Sequence, residues 1–168
     1  GEVLGMANSF GLAFFKSQQA AKSELPLQGT VLMTVTDADK KDALKVAKEF
    51  QKLGFRIKAT EGTCKFLAAG GVQAEPILKM YEGRPNIADM ITNRQVQLII
   101  STPTNRGPKT DEGKIRAMAT LHKVPLVTTM TAAEACAKAI IELHGERDEP
   151  TGAWGVRPLQ EYFPKADA

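Results

Sequence analysis

Five times after residue 29, a short run of aliphatic and β-branched residues is followed by a segment whose apolar positions recur every three or four residues. A chain built this way is expected to lay its strands parallel. Each connection between strands is long enough to carry a helix across a sheet face. The strand-like runs are 30–36 (TVLMTVT), 55–59, 72–79, 96–100 and 125–128. The run at 96–100 is apolar almost throughout, as a strand covered on both faces must be. Pro76 interrupts the third run. The expectation is an α/β fold: a doubly wound, parallel five-stranded sheet flanked by helices.

The helical segments carry their own punctuation. Residues 40–53 put Ala43, Val46, Ala47 and Phe50 on one face and end at Gly54. Residues 63–69 form a short helix closed by Gly70-Gly71. A turn at 82–85 leads into a helix over 86–93, with Pro85 at or before its start. Asp111 caps a helix reaching about His122. Thr131 and Glu134 have the spacing of a capping box for a helix over 131–144. Ahead of the alternation, Ser9 is a candidate N-cap for a helix reaching Lys22. Phe10, Ala13, Phe14 and Ser17 share one of its faces, with Leu12 and Phe15 beside it, and three phenylalanines require a partner surface. Residues 23–29 read as a linker, 102–110 as a loop, and the tail from Gly145 as irregular. These breaks divide the chain into 1–28, 29–145 and 146–168.

Composition narrows the class. The 168 residues hold 22 basic and 19 acidic side chains, a net charge of +3 that is too mild to imply nucleic-acid binding. No apolar run approaches the roughly 20 residues of a membrane helix. Cys64 and Cys136 have neither disulfide nor metal spacing, and read as small buried residues in a reducing, cytoplasmic compartment. The chain opens on Gly1 without a Met, as a piece of something longer would.

In a doubly wound sheet, ligands sit beyond the carboxyl ends of the strands. The residues there are Thr34, Thr36 and Lys40; Thr60 to Thr63; Lys79; Ser101 and Thr102; Thr128 and Thr129. Most carry a hydroxyl or an ammonium, and none of those singled out as donors is a carboxylate. Thr60-Glu61-Gly62-Thr63 falls where a strand turns into a helix. Gly62 lets the backbone approach a ligand, and the helix start offers free N–H groups. Together these features suit a phosphate or another small anion. Read alone, the same motif is a turn with a capping threonine. Lys40 opens its helix, where a cation opposes the helix dipole. A ligand role for Lys40 and Lys79 stands against that of two solvated lysines.

Catalytic groups are harder to find. His122 and His144 end helices and read as dipole-compensating cations. Cys64 sits at a helix start, which could activate it, or is simply buried. Asp89 and Asp111 are carboxylates near the expected cleft, but Asp89 lies inside a helix and Asp111 looks like a cap. The sequence contains no glycine-rich phosphate loop and no metal-ligand cluster.

Thr-Glu-Gly-Thr at 60–63, Glu-Gly-Arg-Pro-Asn-Ile at 82–87, Ser-Thr-Pro-Thr at 101–104 and Ile-Arg at 115–116 together resemble the methylglyoxal-synthase-like domain, a Rossmann-like fold. The opening Gly1-Glu2-Val3-Leu4-Gly5-Met6 and the helix after it resemble the end of the last ATP-grasp region in the large subunit of bacterial carbamoyl phosphate synthetase. The resemblance implies a non-catalytic allosteric domain that binds UMP as inhibitor and IMP as activator at one overlapping site. That site would control glutamine-dependent carbamoyl phosphate synthesis, by an ATP-dependent ligase, for pyrimidine and arginine biosynthesis.

Carried over residue by residue, Lys40, Thr60, Gly62, Thr63 and Lys79 fall on phosphate-binding positions. Thr34, Ser101 and Thr102 fall on ribose, base or rim positions, and Pro103 departs from the relatives' Asn-Thr-Thr. Thr128 falls near the interdomain seam where ornithine would bind. The resemblance implies no cofactor for this domain, and ATP with Mg or Mn for the parent enzyme. Its partners would be the ATP-grasp remainder of the large subunit, a small glutaminase subunit and further copies of the parent, with no nucleic acid and no membrane. The alternatives are N-acetylglutamate as effector, a methylglyoxal synthase-like lyase acting on a triose phosphate, and a ligand-free oligomerisation domain. The lyase needs a carboxylate base directly after a Gly-Gly turn, and Arg84 stands at that place.

Overall fold

A computed structural model describes residues 2–102, 111–147 and 158–163. The strands are β1 (Thr30–Thr34), β2 (Arg56–Thr60), β3 (Ala74–Ile77), β4 (Leu98–Ser101) and β5 (Leu126–Val127). The helices are α1 (Phe10–Ala20), α2 (Lys40–Lys52), α3 (Glu61–Ala69), α4 (Ile87–Thr92), α5 (Asp111–His122) and α6 (Met130–Arg147). All four strand pairings are parallel, in the order β3-β2-β1-β4-β5. The chain winds outward from β1 through β2 to β3, then returns to the other side of β1 for β4. The expected doubly wound parallel sheet is the observed one.

Strand alternation divides the core into two layers. Val31 and Met33 point to one face with Ile57, Ala59, Leu98 and Ile100, where they meet Phe50 of α2, Leu67 of α3 and Ile140 of α6. Leu32 and Ile99 point to the other face and meet Met90 and Ile91 of α4 and Ile115 of α5. The central strands are therefore buried on both faces, which explains their near-continuous apolar character. Pro76 lies in β3, an edge strand, where a missing N–H is tolerated. The inward residues expected for α2 (Ala43, Val46, Ala47 and Phe50) are its buried residues.

The first helix differs from expectation in its buried face. Gly11, Leu12 and Phe15 are buried, whereas Phe10 is 65% exposed and stacks on Phe14 at 5.9 Å between ring centroids. The reason is α6, against which α1 packs. A carboxylate of α6, Glu142, reaches the start of α1. It accepts the Leu12 N–H at 3.1 Å and also bonds the Ser9 hydroxyl, so the expected N-cap Ser9 is itself clamped. The partner surface for the Leu12 and Phe15 face of this helix is thus α6, within this chain. The supposed linker also contributes, because Leu25 is buried in the same core.

The cap of α6 also differs. Thr129, not Thr131, precedes the helix, and its Oγ1 accepts the Ala132 N–H at 3.2 Å. The Thr131–Glu134 spacing lies inside the first turns of the helix. The strands are shorter than their apolar runs: 72–79 yields only Ala74–Ile77, and 125–128 only Leu126–Val127. Of the expected loop at 102–110, positions 103–110 lie outside the described residues, as do Trp154 and most of the tail. Within the tail, Leu159–Tyr162 form one 3-10 turn, and the Tyr162 hydroxyl donates to the Met6 carbonyl at 3.3 Å.

Replacing Thr129 by Ala should cost about 1 kcal/mol of stability, as loss of an N-cap does. Thr131→Ala should stay within about 0.5 kcal/mol, as an exposed helical position does. Urea unfolding of the two variants separates the two cap assignments.

Candidate functional site

At the carboxyl ends of β1 to β4 the chain encloses a cleft of about 600 Å3. Each strand delivers its next residues into it. Thr34 ends β1, and the following turn leads to Lys40 at the head of α2. Thr60 ends β2, with Gly62 and Thr63 just beyond; Lys79 to Tyr81 follow β3, and Thr102 follows β4. Lys40, Thr60, Gly62, Thr63 and Lys79, dispersed over 40 positions of sequence, share this one cavity. It lies where the strand order reverses between β1 and β4, the place an open α/β sheet reserves for ligands.

The floor is the start of α3. Thr60 occupies the N-cap position with extended backbone, φ −60° and ψ 151°, yet its side chain makes no capping bond. The first N–H groups of a helix have no partner within it, and here, among the described residues, the N-cap side chain does not replace one. Their partial positive charge faces the cleft. Above it lies the Lys40 ammonium: a methyl group added at Gly62 would meet only Lys40 Nζ, at 3.6 Å. A larger residue at 62 would crowd the space between helix end and cation, which glycine keeps clear.

The hydroxyls are placed to donate. Thr102 Oγ1 accepts the Thr36 N–H at 3.0 Å, leaving its own proton for an acceptor in the cleft. The Thr102 N–H in turn donates to the Thr34 carbonyl at 3.1 Å, which ties the end of β4 to that of β1. Thr60 donates to Thr34 over a long 3.5 Å, and Thr63 Oγ1 lies 3.5 Å from the Val35 N–H. Both contacts are weak enough for a charged ligand to replace.

Lys79 is held from several sides. Its N–H donates to the Glu82 carboxylate at 2.8 Å, and the Glu82 N–H returns to the Lys79 carbonyl at 3.1 Å. Its ammonium lies 3.4 Å from the Tyr81 hydroxyl and 5.8 Å from the centre of that ring. The Tyr81 hydroxyl bond raises the pKa of this ammonium above its ordinary value. Burial opposes that shift, and the Glu82 and Asp111 carboxylates add to it more weakly. The loop beyond is closed by Asn86, which is buried. Its Nδ2 donates to the Gly83 carbonyl at 2.6 Å, and its Oδ1 accepts the Ala88 N–H at 2.9 Å, completing a capping box with Asp89. The Arg84–Pro85 peptide in this loop is cis.

Other sequence-level candidates fall elsewhere. Ser101 is buried in β4 opposite Thr34 and is not on the cleft wall. Thr128 lines a separate hollow with Lys22, Arg116 and Lys123. Asp89 is bound by Arg84, whose Nε lies 3.0 and 3.1 Å from its two oxygens. Cys64 is buried, and burial pushes its thiol upward rather than activating it; burial pushes Cys136 to about 12. His144 Nε2 lies 3.3 Å from the Leu27 carbonyl. Among the described residues, no cluster of acidic, histidine and cysteine side chains could hold a metal. No helix among them is long and apolar enough to cross a membrane. Carboxylates line this cleft as well: Asp111, expected near it from the sequence, and also Asp37 and Glu112, which the sequence did not single out. Asp37 and Glu112 lie in a turn and a helix start rather than at strand ends.

A domain with this sheet order is an α/β domain of the methylglyoxal-synthase type. Residues 42–128 match the family model of the MGS-like domain, and the chain belongs to that family. It is 44% identical over 163 residues to the "Carbamoyl phosphate synthase large chain, C-terminal section" of Aquifex aeolicus, covering 97% of this chain and 30% of that one. It is 45% identical over 163 residues to the carbamoyl phosphate synthase large chain of Mesorhizobium japonicum, covering 97% of this chain and 14% of that one. The chain thus spans less than a third of the curated relatives it matches. Among solved structures it resembles methylglyoxal synthase from Elizabethkingia anophelis, with a TM-score of 0.56 at 16% identity over 86% of this chain and 95% of that one. That likeness is one of fold.

The Arg84 guanidinium, and next the Asn86 N–H, hold the Asp89 carboxyl below its ordinary value. A carboxyl whose folded pKa is depressed stabilises the native state above its unfolded value, near 3.9, and loses that contribution as pH falls through the folded value. Asp89→Asn should therefore lower the thermal midpoint at pH 7, and the difference from the parent chain should shrink steadily below about pH 4.

Proposed function

We propose that this chain is the regulatory domain of a carbamoyl phosphate synthase large chain, and that its cleft binds a nucleoside monophosphate effector. UMP is the inhibitor in this reading, with IMP as an activator at the same site. The single observation that carries it is the uncapped start of α3, which shares one cavity with Lys40 and Lys79. A phosphate dianion matches that arrangement: two ammoniums, hydroxyl donors and free helix N–H groups converge on it. A cavity of about 600 Å3 has room for the nucleoside as well as its phosphate. The identity of 44–45% to synthase large chains supplies the parent protein. In that parent the ATP-grasp regions, ATP with its Mg or Mn and a glutaminase subunit carry out the chemistry.

The effector acts by binding one state of the synthase more tightly than the other. In this reading α1 and the turn at 128–131 are the exits toward the rest of the large chain. The hollow at Thr128 presents Lys22, Arg116 and Lys123 and no carboxylate. Ornithine, with its ammonium groups, would need its carboxylate partners from the facing part of the parent.

The lyase reading lacks a base at its expected position. At the turn where methylglyoxal synthase chemistry needs a carboxylate stands Arg84, which is committed to Asp89. An always-charged guanidinium cannot take a proton from carbon.

Calorimetric titration of the chain with UMP, IMP, N-acetylglutamate and ornithine separates these readings. UMP should bind, and Lys79→Ala should weaken it at least tenfold, as loss of a charged hydrogen bond does. Unchanged affinity in that variant removes Lys79 from the site. Methylglyoxal formed from dihydroxyacetone phosphate would establish the lyase instead.

A further inference from the structure

The cleft holds an anion of its own. Asp37, in the turn between β1 and α2, places Oδ1 2.6 Å from Lys40 Nζ. The two members of this pair are fixed very differently. The Lys40 side chain is only 19% exposed, whereas that of Asp37 is 93% exposed. The lysine is thus set by the cleft walls, and the aspartate reaches in from solvent.

The contact falls on the cation that the site needs. The same Nζ that meets Asp37 stands over Gly62 and the open end of α3. An anion seated on that helix end must share Lys40 with Asp37 or replace it. Sharing sets two negative groups around one ammonium at a few ångströms, and like charges at that distance disfavour each other. Replacement is the easier course, because a carboxylate so exposed regains full hydration when it turns outward.

We propose that Asp37 is an intramolecular competitor for the effector: in the empty cleft it takes the ligand's place on Lys40, and an incoming phosphate turns it out to solvent. This rests on the effector reading of the same cleft. The competitor answers two needs of the empty site. It offsets the unfavourable placement of a cation at the start of α2, and it keeps the ammonium aimed into the cavity. It also raises the effector concentration at which the site fills, so the domain responds to a rise in effector rather than to traces.

The test is a double-mutant cycle read by calorimetry, with UMP and inorganic phosphate as probes, at one fixed low ionic strength. Asp37→Asn should tighten both probes about three- to fivefold, the scale of one exposed ion pair. Lys40→Ala should weaken UMP at least tenfold. In the Lys40→Ala background, Asp37→Asn should add no tightening, since the cation it competes for is gone. Asp42→Asn, whose partner is Lys45 outside the cleft, should leave both affinities unchanged and serves as the control. Thermal unfolding of each variant confirms that its fold is retained. Unchanged or weakened binding in Asp37→Asn overturns the proposal. The same tightening with and without Lys40 also overturns it, because that is a general field effect. If Lys40→Ala weakens UMP while Asp37→Asn is silent, only the competitor falls. If the parent chain binds neither probe, the effector reading falls with it.

Discussion

The site depends on one unfulfilled obligation of the backbone. A helix begins with N–H groups that nothing inside it can satisfy. At most helix starts a serine, threonine, aspartate or asparagine turns back to cap them, as Thr129 does for α6 and Asn86 for α4. At α3 the residue in that position is Thr60, and its hydroxyl makes no such bond. The open donors face a cavity instead, with Lys40 above them and Lys79 across from them. A structure tolerates this when water or a ligand completes the bonding.

The rest of the fold keeps that arrangement in register. Central strands buried on both faces fix the height of each carboxyl end, and a shift by one residue would turn Thr34 and Thr60 away from the cleft. The crosslink of Thr102 to β1 holds the fourth strand end in place. On the far side, the loop after β3 is braced by Glu82, Asn86 and the Arg84–Asp89 pair, so Lys79 extends from a closed structure rather than a free tip. The charge balance is two-sided. Lys40 and Lys79 bring positive charge to the lining, and Asp37, Asp111 and Glu112 bring negative charge.

The fold was legible because its signal is repeated. Five apolar runs separated by amphipathic helices leave few alternatives to a parallel sheet, and Ala43, Val46, Ala47 and Phe50 mark the buried face of α2 unambiguously. The placement of Lys40, Thr60, Gly62, Thr63 and Lys79 on one cleft was legible for a related reason: strand ends in such a sheet lie side by side. What the pattern could not give depended on tertiary choice. On α1 either of two faces carries phenylalanine, and packing against α6 selected Leu12 and Phe15. At α6 two threonines stand two residues apart, and it is Thr129 whose hydroxyl accepts from the first turn. Asp37 and Glu112 went unseen, unlike Asp111, because they approach the cleft from a turn and a helix start rather than from strand ends. Ser101 has the right chemistry at the right strand end, yet it is Thr102, one residue on, that lines the cleft.

The most direct test of an anion cradle at the start of α3 is a set of amide proton–nitrogen spectra recorded while UMP is added to the isotopically labelled chain. A phosphate accepted by those donors should move the Gly62 and Thr63 amide signals most, with smaller shifts at Lys79 and Thr102. Saturable shifts confined to other surfaces, such as the hollow around Thr128, with Gly62 and Thr63 unmoved, would contradict it.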